Sequence, residues 1–151
     1  MQLNKKQILE YQKNKPPYLM IDEVTDLVPG NFANGLKILN EDEWFFKVHW
    51  ENDPNMPGML QLEALTQLSA LSIFCIDGNK GKTMLLLNID KARFIKKVLP
   101  GHELILQTKV LKTARGISTF SGSAFQNGQK ACYAEYKMLL SSELKQITKP
   151  I

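Results

Sequence analysis

The sequence is poor in cysteine, with two in 151 residues. Cys75 and Cys132 make no CxxC pair and stand at no metal-ligand spacing, so neither a disulfide framework nor a structural metal site is supported. Both read as reduced core thiols. Long apolar runs are missing as well. No uninterrupted stretch reaches the ~20 residues that span a bilayer, and the polar start LNKKQILEYQKNK lacks the apolar segment of a secretory signal. The expected setting is cytoplasmic, without membrane insertion. Charge of one sign is only mildly in excess: 19 Lys and Arg against 15 Asp and Glu give +4. That balance favours an acidic partner. It falls short of a nucleic-acid-binding composition, which needs a denser basic face interleaved with exposed aromatics.

What is present is globular: 44% hydrophobic and 23% charged residues, in a length that fits a single domain over 1–151. Asn4 followed by Gln7 resembles a helix start, and Lys15-Pro16-Pro17 forbids continuation. A short surface helix is expected at about 4–13, within an N-terminal arm 1–14. The β-rich run from Tyr18 to Val28 closes at Pro29-Gly30, and FANGLKIL returns to Leu39, which reads as two strands. After Trp44-Phe45-Phe46, the segment VHWENDPNMPG is irregular because Pro54 and Pro57 exclude regular helix or central strand.

From Met59 to about Ile76, leucines and other apolar residues fall all round the cylinder, so this helix should be buried on most sides until Asp77-Gly78 ends it. The remainder alternates as strands at 83–94, 104–112, 117–125 and 131–140, the last two joined at Asn127-Gly128. The tail 141–151 is expected to be flexible. One long buried helix among about six strands, with no alternating βα pattern, means an α+β fold with an antiparallel sheet wrapped on a single helix.

Four features of segment 49–67 carry chemistry. Glu63 sits in the apolar helix, where burial would push its carboxyl pKa upward and suit a general acid. Gln67, at i+4, can hydrogen-bond that carboxyl group. His49, just upstream, can accept a proton near neutral pH. Pro57 and Gly58 at the helix entrance leave backbone N–H groups at the positive end of the helix dipole, where a carbonyl oxygen turning enolate-like can be held. Taken alone, His49 also reads as a hydrogen-bonded structural histidine, and Glu63 as one half of a buried pair.

The run FKVHWENDPNMPGMLQLEALTQ resembles the 3-hydroxyacyl-(acyl carrier protein) dehydratase family of hot-dog-fold proteins, and PYLMIDEVTDLVPG and IDKARFIKKVLPGHEL resemble that family's flanking strands. The resemblance implies a hot-dog fold and dehydration of a (3R)-3-hydroxyacyl-acyl carrier protein to the trans-2-enoyl thioester. It makes His49 the base, Glu63 the acid, Gly58 N–H the carbonyl donor, and Gln67 the residue orienting Glu63. It also implies a homodimer or trimer of dimers whose active sites each take histidine and carboxylate from different subunits. No cofactor is implied, since the substrate rides on phosphopantetheine of the carrier protein.

Lys91, Arg93, Lys96 and Lys97 form a basic run that reads either as a carrier-protein dock or as a solvated strand edge. The sequence departs from the family pattern at Trp50, Glu51 and His102. Asp53-Pro54 resembles the dehydratase/isomerase branch, whereas Glu63 matches the dehydratase-only branch. Competing readings are a hot-dog acyl thioesterase, a hydratase of coenzyme A thioesters, and a non-catalytic acyl-carrier-binding subunit.

Overall fold

A computed structural model describes residues 1–144. A capping box opens helix α1 (Lys5–Tyr11): Asn4 Oδ1 accepts the Gln7 N–H at 3.0 Å and Gln7 Oε1 accepts the Asn4 N–H at 2.9 Å. The sheet strands are β1 (Glu23–Val28), β2 (Phe32–Ile38), β3 (Met84–Phe94), β4 (Glu103–Ala114), β5 (Ile117–Gln126) and β6 (Gln129–Leu140). They lie in the order β1-β2-β4-β5-β6-β3, every pair antiparallel. Across the β5–β6 hairpin Asn127 (φ 51°) and Gly128 (φ 72°) both take the left-handed conformation, as a tight two-residue turn requires.

Between β2 and β3 the chain forms α2 (Trp44–Val48) and the long α3 (Gly58–Phe74), thirteen of whose residues are buried. The sheet wraps this helix, the α+β hot-dog arrangement. Two glycines form its seat. A Cβ on Gly35 would stand 2.5 Å from the Glu23 carbonyl oxygen and 3.1 Å from Leu68 Cδ1, and one on Gly122 would stand 3.2 Å from Leu65. Without side chains there, the backbone of β2 and β5 meets the leucines of α3 directly.

Three expectations change. Residues 18–22 are not strand: Tyr18 and Leu19 N–H groups turn back to the Lys15 carbonyl, and the Met20 N–H goes to the Gln67 side chain instead of a neighbouring strand. The aromatic cluster that precedes the irregular segment is helical and takes Val48 with it, because Phe45 and Phe46 are both buried, packed edge to face, and anchor α2. The tail begins as a 3-10 turn at Ser141–Glu143, tied down by a 2.8 Å bond between Thr83 and Ser141 hydroxyls. Residues 145–151 of the expected flexible tail lie outside the described residues.

A buried charge cluster fixes α2 to the sheet. Lys37, 4% exposed, reaches Glu43 at 2.6 Å and Asp22 at 3.3 Å, and Lys5 meets Asp22 at 2.7 Å. Glu43 is the N-cap position of α2. Burial pushes the Asp22 carboxyl up, but the Lys5 ammonium, the Ile38 N–H and the nearby Lys37 outweigh it and hold the group below its ordinary value. The sheet has two edges, β1 and β3. Among the described residues β3 pairs only with β6, and it shows Leu85, Leu86, Leu87, Ile89 and Phe94 to solvent.

Gly35→Ala should cost about 1–3 kcal/mol through overpacking, read as a lower urea midpoint. Because Asp22 ionises more readily folded than unfolded, folding releases its proton, so its contribution is present above the unfolded value of about 4 and is lost as pH falls through the lower folded one. The melting-temperature gap between the parent chain and Asp22→Asn should therefore be widest at neutral pH and close below about pH 4.

Candidate active site

His49 is the C-cap residue of α2, its backbone N–H bonded to the Phe45 carbonyl at 3.1 Å. The buried pair Phe45 and Phe46 thus holds the base of the imidazole in place. Its Nδ1 lies 3.0 Å from the Asn55 backbone oxygen. A carbonyl only accepts, so Nδ1 carries the hydrogen in the neutral ring and Nε2 keeps its lone pair. The ring stacks on Trp50 with centroids 4.6 Å apart, and Lys97 lies over the Trp50 ring at 5.4 Å while bonding Asp53. Asn55 was not singled out in the sequence, because a backbone carbonyl leaves no mark there.

The loop between His49 and α3 is tied at Met56, whose N–H bonds the Val98 carbonyl at 2.8 Å. Pro57 is the N-cap of α3 and offers no side-chain acceptor to the first turn, so the opening N–H groups at Gly58 have no intrahelical partner. Gly58 shares a cavity of about 470 Å³ with His49, Trp50, Phe94, Lys96 and Lys97. Glycine is needed for that approach, since a Cβ would stand 2.8 Å from the Phe94 ring.

Glu63 is elsewhere. It is half-buried, not enclosed in the core, and lines a second cavity of about 370 Å³ with Thr66, Ala70, Phe74 and the β3 residues Leu85 and Leu86. Gln67, 3% exposed, is held at both ends of its amide. Its oxygen accepts the Met20 N–H at 2.8 Å, and its Nε2 donates to the Tyr18 carbonyl at 3.0 Å and to Glu63 Oε1 at 2.8 Å. Thr66 Oγ1 stands 3.4 Å from Glu63 Oε2. Burial and the Glu63 charge together raise the Tyr18 phenol. Tyr18, Met20 and Gln12, which bonds the Gln67 carbonyl, were invisible to sequence reasoning because they act through backbone atoms or across long separations.

Within one protomer, then, His49, Pro57 and Gly58 come together, Glu63 and Gln67 come together, and the two groups do not meet. Of the basic run, Lys96 and Lys97 stand at the His49 cavity, while Lys91 and Arg93 lie on β3. Glu51 is exposed, and His102 belongs to a separate hollow beside Glu41 and Gly101. Among the described residues no group of three or more His, Cys, Asp or Glu is placed to hold a metal ion, and no helix is long and apolar enough to cross a membrane.

Residues 13–135 match the model of the FabA-like domain. The chain belongs to that family. Among relatives of this FabA-like chain, a 3-hydroxyacyl-[acyl-carrier-protein] dehydratase FabZ of Roseiflexus sp. (strain RS-1) is 39% identical over 137 residues, 91% of this chain and 96% of that protein. A protein of the same name from Clostridium novyi (strain NT) is 38% identical over 89% of this chain and 95% of its own length. In fold it is similar to a chain of the dehydratase heterocomplex ApeI:P from Xenorhabdus doucetiae, with TM-score 0.74, 18% identity and coverage of 94% and 97%. It is also similar to protein PH1136 of Pyrococcus horikoshii, with TM-score 0.67, 11% identity and coverage of 87% and 91%.

Replacing Gln67 by alanine leaves the Met20 N–H and Tyr18 C=O without their partner inside the protein and frees the Glu63 carboxyl group. The expected result is a loss of about 2–6 kcal/mol, at about 1–3 kcal/mol per orphaned group, measured by denaturant titration.

Proposed function

We propose that this chain is a homodimeric dehydratase of 3-hydroxyacyl thioesters carried on acyl carrier protein, working in the cytoplasm without a cofactor of its own. One observation carries the reading of where its site forms. The Glu63 cavity is built against the start of β3, at Met84, Leu85 and Leu86, and the His49 cavity against its end, at Phe94. Strand β3 is an edge strand of 11 residues, paired with β6 on one side and with no strand on the other among the described residues, and it exposes four large aliphatic side chains and Phe94. A two-fold axis pairing two such edges antiparallel sets the start of one strand beside the end of the other. The Glu63 cavity of one protomer is then next to the His49 cavity of its partner, twice over. Family membership and the dehydratase relatives support the same chemistry.

In such a composite site the steps balance. The Gly58 N–H holds the thioester carbonyl oxygen at the positive end of α3. His49 Nε2, left with its lone pair by the Asn55 contact, takes the proton from C2. The C2–H pair becomes the C2=C3 bond, the C3–O bond breaks, and the oxygen leaves as water with a proton from Glu63. Gln67 keeps the carboxyl group facing the site. Lys96 and Lys97, exposed at the mouth of the His49 cavity, supply the positive charge that an acidic carrier protein would meet.

Purified protein given a 3-hydroxyacyl carrier-protein substrate should yield the enoyl product by mass. Release of free thiol with a carboxylic acid would instead indicate a thioesterase, and a hydroxyacyl substrate returned unchanged would sink the dehydratase reading. His49→Ala and Glu63→Gln should each lower kcat by about a thousandfold or more. Mixing the two inactive variants by co-expression should restore about a quarter of the parent activity, because half of the dimers are mixed and each holds one intact site. No recovery would contradict a shared site. Lys96→Glu with Lys97→Glu should raise KM for the carrier-bound substrate about tenfold while leaving a short pantetheine thioester almost unaffected.

A further inference from the structure

Among the described residues, a single buried side-chain polar atom lacks a hydrogen-bond partner, and it is Gln61 Oε1. Gln61 is 3% exposed and lines the His49 cavity. Its Nε2 makes a bond of 3.3 Å to the Met56 carbonyl, at the long end of the useful range. That bond settles which end of the amide is which: the nitrogen faces an acceptor, so the oxygen is the end left over. Leucine would suit an otherwise apolar stretch of α3 and would leave no buried side-chain acceptor without a donor, at the cost of one long bond to the Met56 carbonyl. A buried acceptor without a donor is a cost that folding does not repay.

Resting on the dehydratase reading, we propose that Gln61 is the specificity-determining residue for the oxidation state of the substrate at C3, its Oε1 accepting the hydrogen of the 3-hydroxyl group. The spacing on α3 supports this donor over others. Gly58 N–H addresses the carbonyl at C1, and Gln61 stands at i+3 on the same helix, one turn further along and on the same face. The substrate's hydroxyl is two carbons beyond its carbonyl, a matching step. A hydroxyl can also serve two partners at once. Its hydrogen goes to Gln61 while a lone pair stays open to the proton of Glu63, the arrangement that elimination needs.

The chemistry of an isolated acceptor makes it a filter. A 3-ketoacyl thioester brings only lone pairs to the same place, so two acceptors would face each other with no proton between them. An enoyl or saturated thioester brings no polar group at all. Only the 3-hydroxyacyl form satisfies Oε1.

The test compares Gln61→Leu and Gln61→Met with the parent chain on three pantetheine thioesters of equal length. For the 3-hydroxyacyl substrate, kcat/KM should fall about tenfold, the equivalent of one buried hydrogen bond. KM for the enoyl thioester in the reverse hydration should stay within about twofold, since that ligand makes no such bond. Inhibition by the 3-ketoacyl thioester should tighten about tenfold once the opposing acceptor is gone. Thermal melts identify variants that fold, and the methionine variant keeps the shape if leucine does not. Equal changes for all three thioesters, or none, in a folded variant would assign Gln61 a structural role and overturn the proposal. A parent chain that dehydrates no 3-hydroxyacyl thioester would overturn the dehydratase reading itself, and this inference with it.

Discussion

Everything in this molecule depends on covering one helix. Helix α3 is apolar around nearly its whole circumference, so it cannot lie on a surface with one side in water. A single flat sheet covers one face. A six-stranded sheet that curls covers most of the others, provided that the backbone can come close enough, and Gly35 and Gly122 provide that approach. The irregular segment 18–22 and helices α1 and α2 close the rest. Among the polar residues the helix still carries, Gln61, Glu63, Thr66 and Gln67 mark where its surface meets cavities or is tied to other segments, whereas Ser69 and Ser72 are buried and spend their hydroxyls on Tyr136 and the Ser69 carbonyl.

One edge of the sheet is left bare. Strand β3 meets α3 at its two ends, yet its leucines face solvent although their composition is that of a core strand. An edge with this much apolar surface is a poor end for a sheet and a good place for another strand to join. The two cavities lie at its two ends, the carboxylate of Glu63 in one and the imidazole of His49 in the other.

Much of this could be read in the residues. The periodicity of α3 and its capping by Met56-Pro57-Gly58 were plain, as were the Asn127-Gly128 hairpin and the α1 capping box, since each is a local signal. Elements decided by distant partners were not. Tyr18 to Ile21 has strand composition but lacks strand structure, because Gln67, far along the chain, takes the Met20 N–H. Helix α2 was hidden by the prolines that follow it, and its formation rests on burying Phe45 and Phe46. In the candidate site, the sequence pointed to residues 49, 58, 63 and 67, which line two cavities, but the contact fixing the His49 tautomer comes from a main-chain oxygen. The burial expected of Glu63 was too deep, because helical periodicity does not show where a cavity opens.

The clamp at Gln67 has a consequence for how damage to this protein would be diagnosed. The orientation of a carboxyl group on α3 is set by an amide whose other contacts lie at Tyr18 and Met20, in a segment that forms neither helix nor strand. Alterations in that N-terminal stretch therefore reach the Glu63 carboxyl group without touching it. A genetic search for inactive alleles would gather lesions there alongside those in α3, and inspection of the cavities alone would misfile them as remote.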